Sequence, residues 1–348
     1  MLDKFGKQHA IKPLYESLGA DAFVQKMTEL LEGDKPLAKP EDFSIKELHE
    51  AVDTTSFPVI IGTLISKKII DGFVAGKKVG DLLTTTFTSS LEIDKITGVY
   101  EEGTMKKVKQ GMNYEHTSDI KEKWVQIEGA KFGKILDITE ETIRFDKTGQ
   151  ILKKAGEIGE GAAEFREKQI LNTIQDVTGY KAYYPAGIQT ALFSGGHGNT
   201  ITNKLEDHTD LDAAFVKLGG MKRENGDPIV VNPNTILVPV ALYTAAASLF
   251  KSTVIVGGAN SQPNPFAGRF NPIDSPYLDA QSTTAWYLGN FKKAYLWKEI
   301  FPLQVQTRKD TKNDAAWEKD IMAQYKVRYY GTCGAQDYRY VIKSDGSV

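Results

Sequence analysis

Apolar residues along this chain keep a helical period first, a strand period next, and a helical one again. Val59, Ile60, Leu64, Ile65, Ile69 and Phe73 recur at near-helical spacing up to Gly76. Pro58 suits a first helical turn, so 58–75 is predicted to be an amphipathic helix that needs a partner surface. From Thr84 the pattern turns to strand: Thr84, Thr85, Thr86, Phe87 and Thr88 with alternating Leu91 and Ile93, then Trp124, Val125 and Ile127, and later Ile135, Ile138 and Ile143. Between them Val99 to His116 is polar, with Glu101 and Glu102, then Lys106, Lys107 and Lys109, then Glu115. The simplest shape is a long two-stranded ribbon that leaves the body and returns. A ribbon alone is marginally stable in water, so support from a neighbouring subunit makes physical sense of it. An ordinary solvated hairpin is the alternative.

Helical spacing returns over roughly 149–175, where Ile151, Ala155, Ile158, Ala162 and Phe165 make one apolar stripe. Lys153, Lys154, Glu157, Glu160, Glu164, Glu167 and Lys168 fall on the other side. At about 1.5 Å per residue this helix is about 40 Å long, more than a small compact domain requires. Gly156, Gly159 and Gly161 each cost about 1 kcal/mol relative to alanine there, so they either thin the helix for close packing or mark a bend.

Residues 176–205 read as loop, with Gly179, Pro185, Gly187 and then Gly195 to Asn199. A shorter helix follows with Leu211, Ala214, Phe215 and Leu218 on one face, ending at Gly219-Gly220. Asn225 to Pro228 forms a turn, Ile229 to Val231 and Ile236 to Val238 are expected as buried strands, Leu242 to Phe250 as a short alanine-rich helix, and Thr253 to Val256 as another strand. Residues 257–283 are rich in Gly, Pro, Asn and Ser and read as loops. Trp286 to Leu288 and Phe301 to Gln306 return to strand, followed by the charged stretch Arg308 to Asp314. The closing region alternates at Tyr325, Val327 and Tyr329, breaks at 331–334, and resumes at Tyr338, Tyr340 and Ile342. The first fifty residues hold two helix-like stretches separated by a linker from Gly33 to Pro40. The second starts with the capping box Ser44-Ile45-Lys46-Glu47.

Composition narrows the function. Forty-three basic residues against 45 acidic ones leave a formal net charge of −2. Sequence-independent nucleic-acid binders carry a clear basic excess, because phosphate neutralisation drives their affinity. A chain of this charge encloses DNA as a wall, if at all, and not as a clamp. Cys333 is the single cysteine, which excludes an intramolecular disulfide and fits a reducing cytosol; it reads as a half-buried small residue in a strand, not a nucleophile. The start, MLDKFGKQHA, has no apolar signal-peptide core, and Lys67, Lys68 and Asp71 interrupt the most apolar run, so no membrane span is expected.

Chemistry-bearing motifs are missing. His9, His49, His116, His197 and His208 form no HExxH pattern. His197 and His208 with Asp207 and Asp210 could gather a metal, but a glycine-rich loop leading into a helix capped by Asp207 or Thr209 explains the same polarity. There is no phosphate loop, dinucleotide fingerprint or nucleophile elbow. No catalytic, cofactor-binding or metal residue is therefore expected.

The order of these segments resembles the major capsid proteins of tailed phages, those of the Hong Kong 97-type capsid fold, and most of all the branch of the phage Mu major head subunit. The resemblance covers about residues 55–348. Phe57-Pro58 through Gly76 looks like the N-terminal arm, and 84–130 like the extended ribbon, the E-loop. Lys131 to Asp146 with the helix 149–175 looks like the strand and spine helix of the peripheral domain. Leu192 to Gly196 resembles the glycine-rich exit from that helix, and Asn232-Pro233-Asn234 with 242–250 the lead-in to the axial domain. Ser275 to Leu278, Trp286 to Leu288, Lys326 to Tyr330 and Asp337 to Ile342 are similar in order and type to the Mu-like branch. Residues 1–50 are short for a fused scaffolding domain.

The resemblance implies an α+β fold divided into an N-terminal region and N-arm at 1–83, an E-loop at 84–130, a peripheral domain at 131–228 and 299–348, and an axial domain at 229–298. It implies a subunit that assembles with itself, as pentamers and hexamers, into the icosahedral head enclosing double-stranded DNA. Portal, scaffolding or protease and decoration proteins would be partners, assembly would take place in the host cytoplasm, and no membrane would be involved. In some such shells a ribbon lysine is crosslinked to a neighbour's asparagine; for Lys106, Lys107 and Lys109 a solvated charge cluster is the simpler reading. Two other functions fit the residues: an encapsulin-type compartment holding protein cargo, and a cytosolic enzyme without local motifs.

Overall fold

The computed structural model describes residues 57–76, 79–91, 93–99, 107–113, 122–139, 141, 150–176, 182–184, 187–189, 191–223, 226–254, 263–308 and 320–347. In chain order the longer elements are α1 (Phe57–Gly76), α2 (Gly80–Leu83), β1 (Thr85–Thr88), β2 (Ile93–Val99), β3 (Glu122–Glu128), β4 (Lys131–Thr139), α3 (Gln150–Ile174), β5 (Ala182–Tyr184), β6 (Gly187–Gln189), β7 (Thr200–Ile201), α4 (His208–Gly219), β8 (Thr235–Val238), α5 (Tyr243–Lys251), β9 (Pro272–Asp274), α6 (Pro276–Asp279), β10 (Trp286–Gly289), α7 (Phe291–Ala294), β11 (Tyr295–Arg308), β12 (Ile321–Ala335) and β13 (Val341–Ser344). The expected helices at 1–50, the linker between them and the strand position Ile143 lie outside the described residues.

The contacts divide the chain into two compact units. One comprises 1–77, 131–165 and 301–330; the other comprises 78–130, 166–300 and 331–348. In the first, β4 pairs antiparallel with β12 from Lys131↔Tyr330 to Thr139↔Ile321, with an irregularity between Ile321 and Ala323. Alternation aims Ile138, Tyr325 and Val327 at one side of this ladder, where they meet Ile65 and Ile69 of α1 and Ile151 and Ala155 of α3 in one cluster. The glycines settle the choice between thinning and bending. A Cβ on Gly159 would stand 2.0 Å from the Ile69 carbonyl oxygen, and one on Gly72 2.4 Å from that of Gly156. Backbone meets backbone, which only glycine allows. Nothing lies within 4 Å of a Cβ on Gly161, so that position has no packing reason.

The second unit contains a five-stranded sheet in the order β7-β13-β10-β8-β9 and a four-stranded one in the order β2-β3-β5-β6. β8 and β10 (Ile236, Val238, Trp286, Leu288) pack with Leu211 and Ala214 of α4, Leu249 and Phe250 of α5, and Phe266 and Phe270. β1 runs parallel to the first residues of β11, from Thr85↔Leu296 to Thr88↔Glu299.

Several expectations are corrected. Residues 182–184 and 187–189, read as loop, form β5 and β6, paired from Ala182↔Gln189 to Tyr184↔Gly187. Ile229 to Val231, read as buried strand, pair in no ladder; Ile229 is buried but Val230 is 81% exposed. The expected strand at Thr253 is reduced to a single bridge between Val254 and Pro263, and 255–256 lie outside the described residues. Strand β12 does not break at 331–334 but runs through to Ala335, and the break comes at the 3-10 turn Tyr338–Tyr340. Glu167, expected on the polar face of α3, is buried and accepts a hydrogen bond from the Val79 amide at 3.4 Å.

Candidate assembly surfaces

The ribbon has a well-defined root. β2 and β3 pair antiparallel over seven rungs, from Ile93↔Glu128 to Val99↔Glu122. It is not an isolated pair, because β3 also meets β5 through Trp124↔Tyr183 and Val125↔Ala182. Val125 and Ile127 point inward and are buried. Gly334 of β12 makes room for Ile127, whose Cδ1 would lie 2.1 Å from any Cβ there. Between these two strands in the chain, Lys109 to Met112 form a turn, closed by the Met112 amide donating to the Lys109 carbonyl at 3.1 Å and by Gly111 at φ 83°. Lys107 and Lys109 are exposed at this turn, and Met112 is 67% exposed; Lys106 lies outside the described residues.

A buried charge sits at the root. Lys298 of β11 is 1% exposed, in a stretch, Tyr295 to Lys298, that is buried on both faces. Its ammonium lies 2.9 Å from Asp94 Oδ2 on β2 and donates to the Ile127 carbonyl on β3 at 3.3 Å. Burial pushes the Asp94 carboxyl up, but hydrogen bonds from Lys298 and Ser89 and the charge of Lys298 outweigh it and hold it below the usual range. In the chain leading into β2, Leu82, Phe87, Leu91 and Ile93 are each about half exposed or more.

Within the first unit lies a groove of about 630 Å³ between α3 and the β4–β12 ladder. Phe132, Leu136, Ile158, Phe165 and Val327 line it, together with the charged Lys134, Lys154, Glu157 and Arg328. Thus Ile158, Ala162 and Phe165 of the predicted stripe border the groove, while Ile151, Ala155 and Gly159 take the buried side. The Phe132 and Phe165 rings meet at 4.4 Å.

The residues singled out for chemistry have structural partners. Asp207 caps α4, accepting from the Thr209 amide at 2.8 Å and the Asp210 amide at 3.3 Å, while Asp210 accepts from the Asp207 amide at 3.2 Å. His197 stacks on Tyr338 at 3.9 Å, with Nδ1 2.9 Å from the Leu192 carbonyl oxygen. Asn199, fully buried, donates to the same carbonyl and accepts from the Ser194 amide, which fixes the glycine-rich turn. Among the described residues no group of three or more His, Cys, Asp or Glu is placed to hold a metal. Cys333 is buried in β12, and burial pushes its thiol up to about 12, far from thiolate chemistry. No described helix is long and apolar enough to cross a membrane.

Sequence reasoning found strand character at Ile93 and at Trp124 to Ile127 but missed Asp94 and Lys298. Alternation inside β2 could have hinted at Asp94, since an inward position there would be apolar by default; nothing local marked its partner.

Solved capsids share this fold. The capsid of the cyanophage P-SCSP1u superposes with a TM-score of 0.51 at 14% identity, covering 77% of this chain and 88% of that one. The capsid of a native GTA particle gives 0.53 at 8% identity, with 78% and 91% covered. That of the cyanophage Pam1 gives 0.51 at 9% identity, with 79% and 92% covered. At such identities the likeness defines the fold, that of Hong Kong 97-type capsid subunits. No curated protein matches the sequence. A family model described as "Phage capsid protein" matches residues 124–344, more than half of the chain, and the protein belongs to that family. It is a major capsid shell protein, a structural component of the virion that assembles with copies of itself.

Proposed function

We propose that the chain forms the icosahedral head of a tailed phage, as pentamers and hexamers around packaged double-stranded DNA, and that its nearest kin are the Mu-like head subunits. In this reading 1–83 supplies an N-terminal arm, 84–130 the E-loop, 131–228 with 299–348 a peripheral domain and 229–298 an axial domain. The chain carries no catalytic site; portal, scaffolding or protease and decoration proteins act as partners, and shells form in the host cytoplasm.

The observation that carries this reading is the ribbon. The β2–β3 ladder runs for seven rungs, Met112 in the chain between its strands is 67% exposed, and Leu82, Phe87, Leu91 and Ile93, which precede or open the ladder in the chain, are exposed as well. Exposed apolar groups of this kind mark a contact surface. Each such contact recurs at every symmetry-related copy, so modest contacts sum to a stable closed shell. Replacing residues 100–121 by an Asn-Gly turn keeps every rung of the β2–β3 ladder and removes only the chain between its two strands. The shortened subunit is expected to remain soluble and folded but to yield no closed particles by electron microscopy. Normal particles from it would overturn the role given to the ribbon.

A further inference from the structure

We infer that Lys298 is the positioning residue of the ribbon: its buried ammonium ties both ribbon strands to β11 and so sets the direction in which the ribbon projects for assembly. The inference rests on the assembly role proposed for the ribbon.

The geometry is specific. Asp94 and Ile127 face each other on one rung of the β2–β3 ladder. The ammonium reaches the side chain of the first at 2.9 Å and the carbonyl of the second at 3.3 Å. One group on β11 thereby grips both strands at the same level, on the rung next to the ladder's start at Ile93. A second tie lies just before β2, where the Ser89 amide donates to the Glu299 carbonyl at 3.0 Å. A third is the seat of Ile127 over Gly334. Of these three only the ammonium engages both strands at once, and only it brings opposite charges together at 2.9 Å in a buried setting, where their attraction is little screened. The hydrophobic seat resists separation but does little against rotation, being non-directional.

Burial argues against an incidental role. A lysine at 1% exposure is rare and costly unless paired. Its neighbours Trp297 and Leu296 are apolar and buried, so packing alone would call for an apolar residue at 298. Buried ion pairs add little stability over apolar residues of the same shape, and their best-attested use is to specify one arrangement. Here the arrangement specified is the angle of the ribbon root.

The test compares Lys298→Met with the double variant Lys298→Met/Asp94→Leu, in which both members of the ion pair are replaced by apolar residues. Thermal unfolding and circular dichroism report folding, hydrogen exchange of amides in 93–99 and 122–128 reports the root, and electron microscopy reports particles. The double variant is expected to unfold cooperatively near the parent's midpoint. Its root amides should exchange at least tenfold faster, and its yield of closed shells should fall severalfold. Parental exchange and parental yield from a folded double variant would overturn the inference. Because either variant could lose its fold, the unaltered subunit supplies an independent reading: Lys298 should acetylate at least tenfold more slowly than exposed Lys95 and Lys131, and equal rates would also overturn it. The shortened-ribbon subunit separates the two ideas. If it forms normal shells, the assembly role fails, whereas slow Lys298 acetylation and fast root exchange in the double variant would still establish the clamp.

Discussion

Gly159 and Gly161 stand two positions apart on α3 and answer to different demands. A methyl group at 159 would meet the Ile69 carbonyl oxygen at 2.0 Å and the Phe73 amide nitrogen at 2.8 Å. Both obstacles are backbone, so no rotamer change relieves them. Gly159→Ala is expected to lose about 1–3 kcal/mol, the usual range for overpacking a tight core. Gly161→Ala meets nothing within 4 Å and sits in a helix interior, so it is expected to gain up to about 1 kcal/mol. Denaturant unfolding of the two variants would separate them by sign; the same sign in both would refute the packing account.

At the scale of elements, the cap of α4 lends itself to measurement. Asp207 accepts from two backbone amides and from the Thr209 hydroxyl, and that hydroxyl is the largest influence holding its carboxyl below the usual range. A depressed carboxylate contributes stability that is full above its unfolded value and is lost as pH falls through the folded one. Asp207→Ala should therefore cost about 1 kcal/mol near neutral pH, and the difference from the parent should shrink as the pH drops below the usual carboxylate range. Melts recorded between neutral and acidic pH check both parts. This cap was legible in the sequence because its partners lie within three residues. So were α1, β3, β8 and β10, where one apolar period persists long enough to name the element. β5 and β6 were not: Pro185 and Gly187 read as loop, and the pairing of β5 with β3 is long-range. β12 looked broken because Gly331 and Gly334 resemble turn residues. They are strand residues stripped of side chains, since a Cβ at 331 would lie 2.8 Å from the Lys298 carbonyl oxygen and one at 334 would strike Ile127. The Lys298–Asp94 pair was invisible for the same reason: one partner lies in the ribbon and the other far along the chain, and only the fold joins them.

For the molecule as a whole, charge is the property that composition alone determines. A net charge of −2 over 348 residues leaves no basic excess to displace counterions from a duplex. The subunit is expected to bind a labelled DNA duplex only weakly at physiological salt, with a shallow salt dependence. Fluorescence anisotropy across a salt series checks this; a steep slope would reveal a concentrated basic face and contradict the picture of a passive wall.

The seam between α1 and α3 has a mechanical corollary. Where Gly72 and Gly159 bring two main chains together there are no side-chain torsions to absorb a displacement. A load on one helix is therefore passed to the other with almost no give, as through a weld and not a cushion. The same property leaves inheritance little room: enlargement on either helix must be matched at once on its mate, so this joint should drift more slowly than the apolar groove lining, where larger side chains can trade volume.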